Sequence, residues 1–445
     1  MIINNLFKSL ERSLLDGQKP PIGKGVENDF IPGDIEIIDI TVTSEDGQRQ
    51  YSLLSQCKTI EIYESITSPV IFCDLGIADS IGLLETFALL GEEYVSLSFK
   101  TFKDGEPVQF LFRLNSIDNV VDNETNKMKT YTLRLVSPEL LHNSERFVSF
   151  SYEDTISNIV TRILSEEIST QKPYFVDKTV GIEKGVVTRL EPFKACDYFR
   201  RRAVSSEYSS SSFCFFEGRR GYVFTTLEKL MHDGQKAHAS QGVTDKEFFF
   251  DVSRNENIGD AVFRNIIAFN RTTFADSVDK VRAGGINNVV SAIDILTGDF
   301  TVKNYTSNVG LDKFKFIDGE NSSSLNTSGF ALNHGKHTAV QMFMPFTSDK
   351  PLTDLQEKLT LSQAYAQIIS QNICNIHVYG DSELQIGDVI KCSFPSSISA
   401  DNAGQSRLDS GNYLISKIRH IIINSDRPQH TMALELIKGN LTEAG

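Results

Sequence analysis

The chain has 445 residues, a net charge of −14 and 40% hydrophobic content. That length calls for about two to four domains, and the acidic balance excludes the clustered cations that general nucleic-acid or anionic-membrane affinity requires. No apolar run reaches the roughly 20 residues of a bilayer span. An N-terminus carrying Lys8, Glu11, Arg12 and Asp16 is no secretory signal, so synthesis and folding in a cytoplasm are expected.

Taken in chain order, residues 3–16 predict a short amphipathic helix with Leu6, Leu10 and Leu14 on one face. A Gly/Pro linker runs from Gly17 to Pro32. Such a helix either docks as an arm on a neighbour or packs on its own domain, and the residues favour neither. Strands dominate from Ile35 to Val136. Within them, Ile60–Phe102 reads as strand, a Ser68-Pro69 break, strand, link and strand, and Val95, Leu97 and Phe99 alternate with Ser96, Ser98 and Lys100. Pro138 to Leu141 closes this unit. Helices are predicted over Glu153–Ile168 and Pro192–Val204 from apolar spacing. Phe213–Glu217 and Tyr222–Thr226 flank Gly218-Arg219-Arg220-Gly221, a hairpin signal, since glycine admits positive φ. Val262–Phe274 and Ile286–Ile295 read as extended, and Leu296–Asp299 as a turn before Phe300–Tyr305. Gly319–His337 is a polar loop, Pro351–Ile369 the strongest helix, and Ile373–Ile437 a second β unit with a polar loop over Pro395–Gly411.

The second β unit repeats the first. Gly91 to Val95 matches Gly387 to Ile390, Phe110–Ile117 matches Tyr413–His420, and Thr130–Val136 matches Thr431–Leu436. Three strands in the same order with loops of different length predict a duplicated antiparallel unit. The fold class is therefore mainly β, a β-rich α+β chain.

Side chains with chemical potential are present but do not converge. Cys57, Cys73, Cys196, Cys214, Cys374 and Cys392 form no Cys-x-x-Cys and sit among apolar neighbours, as buried reduced thiols do. His334 and His337 lie three residues apart without a Cys or carboxylate at metal spacing. Arg200-Arg201-Arg202 cannot share one helix face, and salt bridging fits them better than phosphate contact. Glu92-Glu93 and Glu166-Glu167 do not specify the carboxylate separation of roughly 5–10 Å that glycoside hydrolysis needs. Nucleophile-elbow, Walker, dinucleotide and zinc-protease motifs are missing. The expectation is a scaffold acting through surfaces, with no catalytic, cofactor-binding or metal residue assigned.

Several segments in order then resemble a family. They are Ile60–Ser65 to Ser68-Pro69, Asp79-Ser80, Gly91–Glu93, Leu190–Cys196 leading through Arg202-Ala203 to Phe215–Glu217, Gly221–Glu228, and Gly380–Asp388 with Ser410–Tyr413 and Ile418–His420. Together they make the chain, from about residue 35 to 438, similar to the central baseplate hub proteins of contractile-tailed phages, a family that includes the hub portion of type VI secretion spikes. The resemblance implies two tube-protein-like antiparallel β-barrels per chain and a homotrimer of pseudo-sixfold symmetry. Such a trimer joins the sixfold tail tube, or a tube-initiator protein, to a threefold central spike. Duplication supplies six barrels from three chains. It further implies residues 1–32 as arm and linker, 33–145 as the first barrel and 146–260 as an inserted α+β domain. Residues 261–350 would be a β-rich connector with a polar loop at 319–337, and 351–445 a helix and the second barrel. The chain stops soon after the second unit, so a separate spike protein is expected, with baseplate wedge proteins as further partners. Genomic DNA would pass an acidic channel wall without specific binding. The location would be the virion. The competing readings are a virion-associated cell-wall hydrolase and a peripheral carbohydrate-binding tail protein.

Overall fold

A computed structural model describes residues 32–87, 89–101, 107–123, 128–208, 211–241, 247–250, 264–274, 287–294, 298, 300–306, 336–342, 372–395, 406 and 409–438. The predicted helices over 3–16 and 351–369 lie outside these residues, as do almost all of the linker over 17–32 and most of the loop over 319–337.

The first part holds β1 (Glu36–Thr43), β2 (Gln50–Ser52), β3 (Cys57–Ser65), β4 (Phe72–Asp79), a helical turn α1 (Leu83–Thr86), β5 (Tyr94–Lys100), β6 (Val108–Asn123) and β7 (Met128–Val136). The central part holds α2 (Glu139–Glu145), β8 (Val148–Thr155), α3 (Ile156–Arg162), β9 (Tyr174–Val176), β10 (Ile182–Leu190), α4 (Pro192–Arg200), β11 (Phe213–Gly218), β12 (Gly221–Thr226) and α5 (Leu227–Gln241). There follow β13 (Glu247–Phe249), β14 (Ile266–Phe274), β15 (Asn287–Asp294), β16 (Phe300–Thr306), β17 (Lys336–Met342), β18 (Asn372–Tyr379), β19 (Val389–Ser393), β20 (Gly411–Ile423) and β21 (Gln429–Ile437). The protein is mainly β, as the alternating patterns predict.

The helix predicted from Glu153 begins three residues later. Glu153–Thr155 complete β8 opposite Ile182–Lys184, and the Thr155 hydroxyl accepts from the Asn158 amide at 3.4 Å, an N-cap that sets the helix start. α3 then runs into a π turn over Ile163–Glu167. The helix predicted over Pro192–Val204 ends at Arg200, and its proline sits in the first turn, where no amide hydrogen is needed.

One large sheet carries the architecture. Its first half runs β3-β4-β7-β6-β5 and its second β14-β18-β21-β20-β19, every pair antiparallel. Irregularities repeat as well. β3 bulges between Cys57 and Thr59, and β14 between Ile266 and Ala268. β6 bulges between Leu114 and Ser116, and β20 between Ile415 and Lys417. Cys73 opposite Leu135 corresponds to Cys374 opposite Leu436. A shared bulge is a backbone device that strand-rich composition alone does not reproduce. This register matches Phe112, not Phe110, to Tyr413, because these two face Val95 and Ile390. The match of Phe110 to Tyr413 expected from sequence is thus two residues out of register, a shift that keeps every side chain on its original face. β14, assigned from sequence to a connector, pairs with β18 and so extends the second unit.

Each unit encloses a core. Ile60, Ile62, Leu75, Leu97, Phe112 and Leu133 fill the first. Ile376, Val378, Ile390, Leu414, Ile418 and Leu434 fill the second. The central part has its own core of Ile159, Val160, Phe193, Phe199, Tyr222 and Phe224, beside a β8–β10 ribbon and a β11-β12-β9 sheet. β15, β16 and β17 form a separate sheet, with the β15–β16 hairpin closing around Gly298 at φ +75°.

Candidate assembly site: the seam between the two β units

The two units are joined by β3 and β20, paired antiparallel from Lys417 opposite Ser65 to Ile423 opposite Thr59. The first part of β20 pairs with β19 and the second with β3, so one long strand belongs to both units. Ile422 is contributed by β20 yet sits in the core of the first unit.

One face of this seam is ionic. The Arg419 guanidinium donates to Glu61 at 2.7 Å and lies 5.5 Å over the Tyr63 ring. The Tyr63 hydroxyl also donates to Glu61, and burial, then that carboxylate, push the phenol up to about 12. Lys417 pairs with Glu435 at 2.8 Å and Arg134 with Asp118 at 2.7 Å. Asp74, opposite Arg134, is raised chiefly by burial. Tyr63, Phe72, His377, Lys417, Arg419 and Glu435 line a concavity of about 500 Å³ on this face. Four carboxylates (Glu61, Asp74, Asp118, Glu435) meet three cations (Arg134, Lys417, Arg419), so the face is nearly balanced rather than strongly acidic.

The opposite face holds a buried polar chain. His420 Nδ1 lies 3.0 Å from His430 Nε2, and His420 Nε2 lies 3.3 Å from Glu64. The Phe99 ring packs edge-on against both imidazoles, and Gly380 lies so close that a Cβ there would meet His430 Nδ1 at 2.0 Å. Burial, the His420 ring and the Arg219 guanidinium hold His430 well below the ordinary histidine range. A histidine kept neutral in the fold but free to protonate when unfolded stabilises fully above about pH 6.5 and loses that contribution as pH falls. We predict that unfolding free energy drops by about 1.4 kcal/mol per pH unit just below pH 6. Urea titrations at pH 7.5 and 5.5 measure this, and an equal drop in His430→Gln would assign it to another group.

The hairpin tip ties the central part to both units. Lys172 bridges Glu139 at 2.7 Å and Glu217 at 2.5 Å. Burial opposes its charge, but the two carboxylates outweigh burial and hold Lys172 above the ordinary lysine value. Glu217 also accepts from the Ile71 amide, and its own amide donates to the Ser68 carbonyl, both at 3.2 Å. Two residues on, Arg219 donates to the carbonyls of Ser382 and, at 2.6 Å, Leu384 in the second unit. From sequence alone Gly218–Gly221 reads only as a turn. An arginine pair between two glycines was the available signal, and its targets were distant in sequence.

The other sequence candidates take structural roles. All six cysteines are buried, and burial raises Cys57 and Cys214 to about 12. Arg200 and Arg201 both bind Asp197, at 2.6 and 2.8 Å, and Arg202 stacks 4.1 Å over Tyr198. Glu93 is buried and accepts from the amides of Leu90, Gly91 and Glu92, closing its own turn. Glu166 and Glu167 lie in the π turn. His337 is in β17, and His334 lies outside the described residues. Among the described residues no three His, Cys, Asp or Glu side chains form a group able to hold a metal ion.

No family model matches the sequence, and no curated protein matches it. Solved structures do share the architecture. A tail protein from Neisseria meningitidis MC58 superposes with a TM-score of 0.53 at 10% identity, over 91% of this chain and 97% of that one. The chain has a tail-protein fold. A 43 kDa tail protein of prophage MuSo2 from Shewanella oneidensis superposes at 0.51 with 11% identity, over 91% of this chain and all of that one. The tail-protein fold thus extends over both β units and the central part, and agrees with the resemblance carried by the ordered sequence segments.

Proposed function

We propose that the protein is a structural component of a phage tail, the central hub of its baseplate, working through surfaces rather than catalysis. The observation that carries this reading is the duplicated strand unit, which repeats its strand order and two of its bulges and is joined within one chain by the β3–β20 seam. One chain then presents two equivalent positions on a ring, and three chains present six. Such a homotrimer offers a sixfold tube, or its initiator, a matching face and a threefold spike another. Wedge proteins would surround it. The ionic face of the seam, rich in carboxylates paired to cations, would line the channel and pass DNA without holding it, since paired cations have little left for phosphates. The virion is the proposed location. Among the described residues no helix is long and apolar enough to cross a membrane.

Light scattering on the purified protein, alone and with a candidate spike protein, tests the reading. The expected result is a particle of three times 49.7 kDa, or one that forms when the spike is added. A monomer at all concentrations, indifferent to the spike, overturns it.

A further inference from the structure

The first β unit keeps a short strand edge inside a cavity. The Leu114 amide donates to the Glu93 carbonyl at 2.8 Å. Backbone groups alternate sides along an antiparallel strand. Phe112 and Phe110 therefore also turn theirs toward β5, while Arg113, Leu111 and Gln109 turn theirs the other way. There Arg113 meets Val136 of β7, and β7 stops. The Ser137 hydroxyl accepts from the Ile71 amide at 3.0 Å, and Pro138, which has no amide hydrogen, leads into α2. Among the described residues no strand pairs with Gln109 or Leu111 on that side. The row that β7 leaves is a cavity of about 470 Å³, with Ile71, Leu111, Phe112, Lys172, Pro173 and Arg219 in its walls. Leu111 is only 7% exposed, so its outward N–H and C=O have little bulk water to turn to.

The second unit closes the same place by itself. The Ile415 amide donates to the Asp388 carbonyl at 2.9 Å, as Leu114 does to Glu93. Ser410 and Asn412 are thus the counterparts of Gln109 and Leu111. β21 ends at Ile437, opposite Leu414, as β7 ends at Val136, opposite Arg113. The next residue is Lys438, fully buried, whose ammonium donates to the Ser410 carbonyl at 2.6 Å and lies 5.6 Å over the Tyr413 ring. Its counterpart in the first unit is Ser137, whose side chain is too short to reach across and is held by Ile71. One copy of the duplicated edge is plugged from within the chain; the other is not.

We infer that this groove binds an extended, uncharged segment of another polypeptide, which takes the row vacated by β7 and pairs with Gln109 and Leu111. The backbone calls for a strand, because alternate residues of β6 present a donor and an acceptor at ladder spacing. The charges call for a neutral one. Lys172 is shared by Glu139 and Glu217, and Arg219 is engaged with the Ser382 and Leu384 carbonyls, so a further charged side chain would enter without a counter-ion. Ile71, Phe112 and Pro173 offer it apolar contact, and the volume lies within the range of ligand clefts. The groove lies within one chain, so this inference holds for a monomer and a trimer alike and does not rest on the hub reading.

The test is fluorescence anisotropy of a blocked Thr-Val-Ser-Val-Thr peptide carrying a neutral dye, titrated with the full-length protein. Five residues span about 17 Å as a strand. The comparison peptide is N-methylated at every residue, with the same side chains and no amide hydrogen. The expected result is saturable binding of the first peptide and binding about tenfold weaker or worse for the second. Ser137→Lys gives the first unit the counterpart of Lys438 and should abolish binding. Gln109→Pro removes an outward amide hydrogen from an exposed residue without touching the β5 ladder, and should weaken binding. No saturable binding to the wild-type protein in the millimolar range overturns the inference. So does equal binding of the two peptides, or binding that is unchanged in Gln109→Pro or in a folded Ser137→Lys protein.

Discussion

Lys172→Met is expected to destabilise the protein by about 3–5 kcal/mol, the cost of leaving buried charge without its partner. Glu139 and Glu217 have side chains 8% and 2% exposed, and Lys172 supplies an ammonium to both. Methionine keeps the length of the lysine stem but leaves two largely buried carboxylates without their shared cation. The first transition in urea would move to lower denaturant. A triple variant that adds Glu139→Gln and Glu217→Gln removes the stranded charges and should recover most of the loss. The lysine pKa is raised, so its contribution is complete at neutral pH and fades only as pH rises past the ordinary lysine range. A Lys172→Met protein within 1 kcal/mol of wild type would show that the ammonium does not neutralise this pair.

Gly221→Ala should cost about 3–5 kcal/mol, combining strain at a glycine-only backbone angle with overpacking. Gly221 has φ +121°, and a Cβ would lie 1.9 Å from the Pro173 carbonyl oxygen, a backbone atom that cannot swing aside. The same carbonyl accepts from the Tyr222 amide at 2.9 Å, which binds β12 to the segment leading into β9. Gly47→Ala is the comparison: φ is +71° there and nothing lies within 4 Å of the added carbon, so only the left-handed penalty of about 1–2 kcal/mol applies. Thermal melts of the two variants side by side would separate close approach from backbone strain. Equal losses would mean that the Pro173 contact yields.

Local patterns carried the strands into view. Val95, Leu97 and Phe99 alternate with polar residues because β5 has one face in a core, and the hairpin at Gly218–Gly221 announced itself through its glycines. The repeat was legible in order but not in register, since a two-residue slip along β6 and β20 conserves the inward-facing set. β14 was read as extended but not as part of the second unit, because it pairs with β18 across residues 275–371, and no local signal crosses such a gap. The seam was hidden for the same reason. Glu64, His420 and His430 look like unrelated polar residues in three strands, and only the fold brings them into one buried chain. Lys172 and Glu217, 45 positions apart, were equally silent.

The seam has a consequence for the order in which the protein is made. Glu64 and His420 are separated by 356 positions. At roughly 5–20 residues per second, the edge of β3 leaves the ribosome about 20–70 s before the strand that covers it exists. Throughout that interval the first unit lacks not only a hydrogen-bonding neighbour but also Ile422, one of its own core side chains. The first unit is therefore a lock whose last pin, Ile422, is made long after the rest. Chains cut short before that point carry an open strand and an empty apolar slot on the same molecule, the two features by which one such fragment finds another.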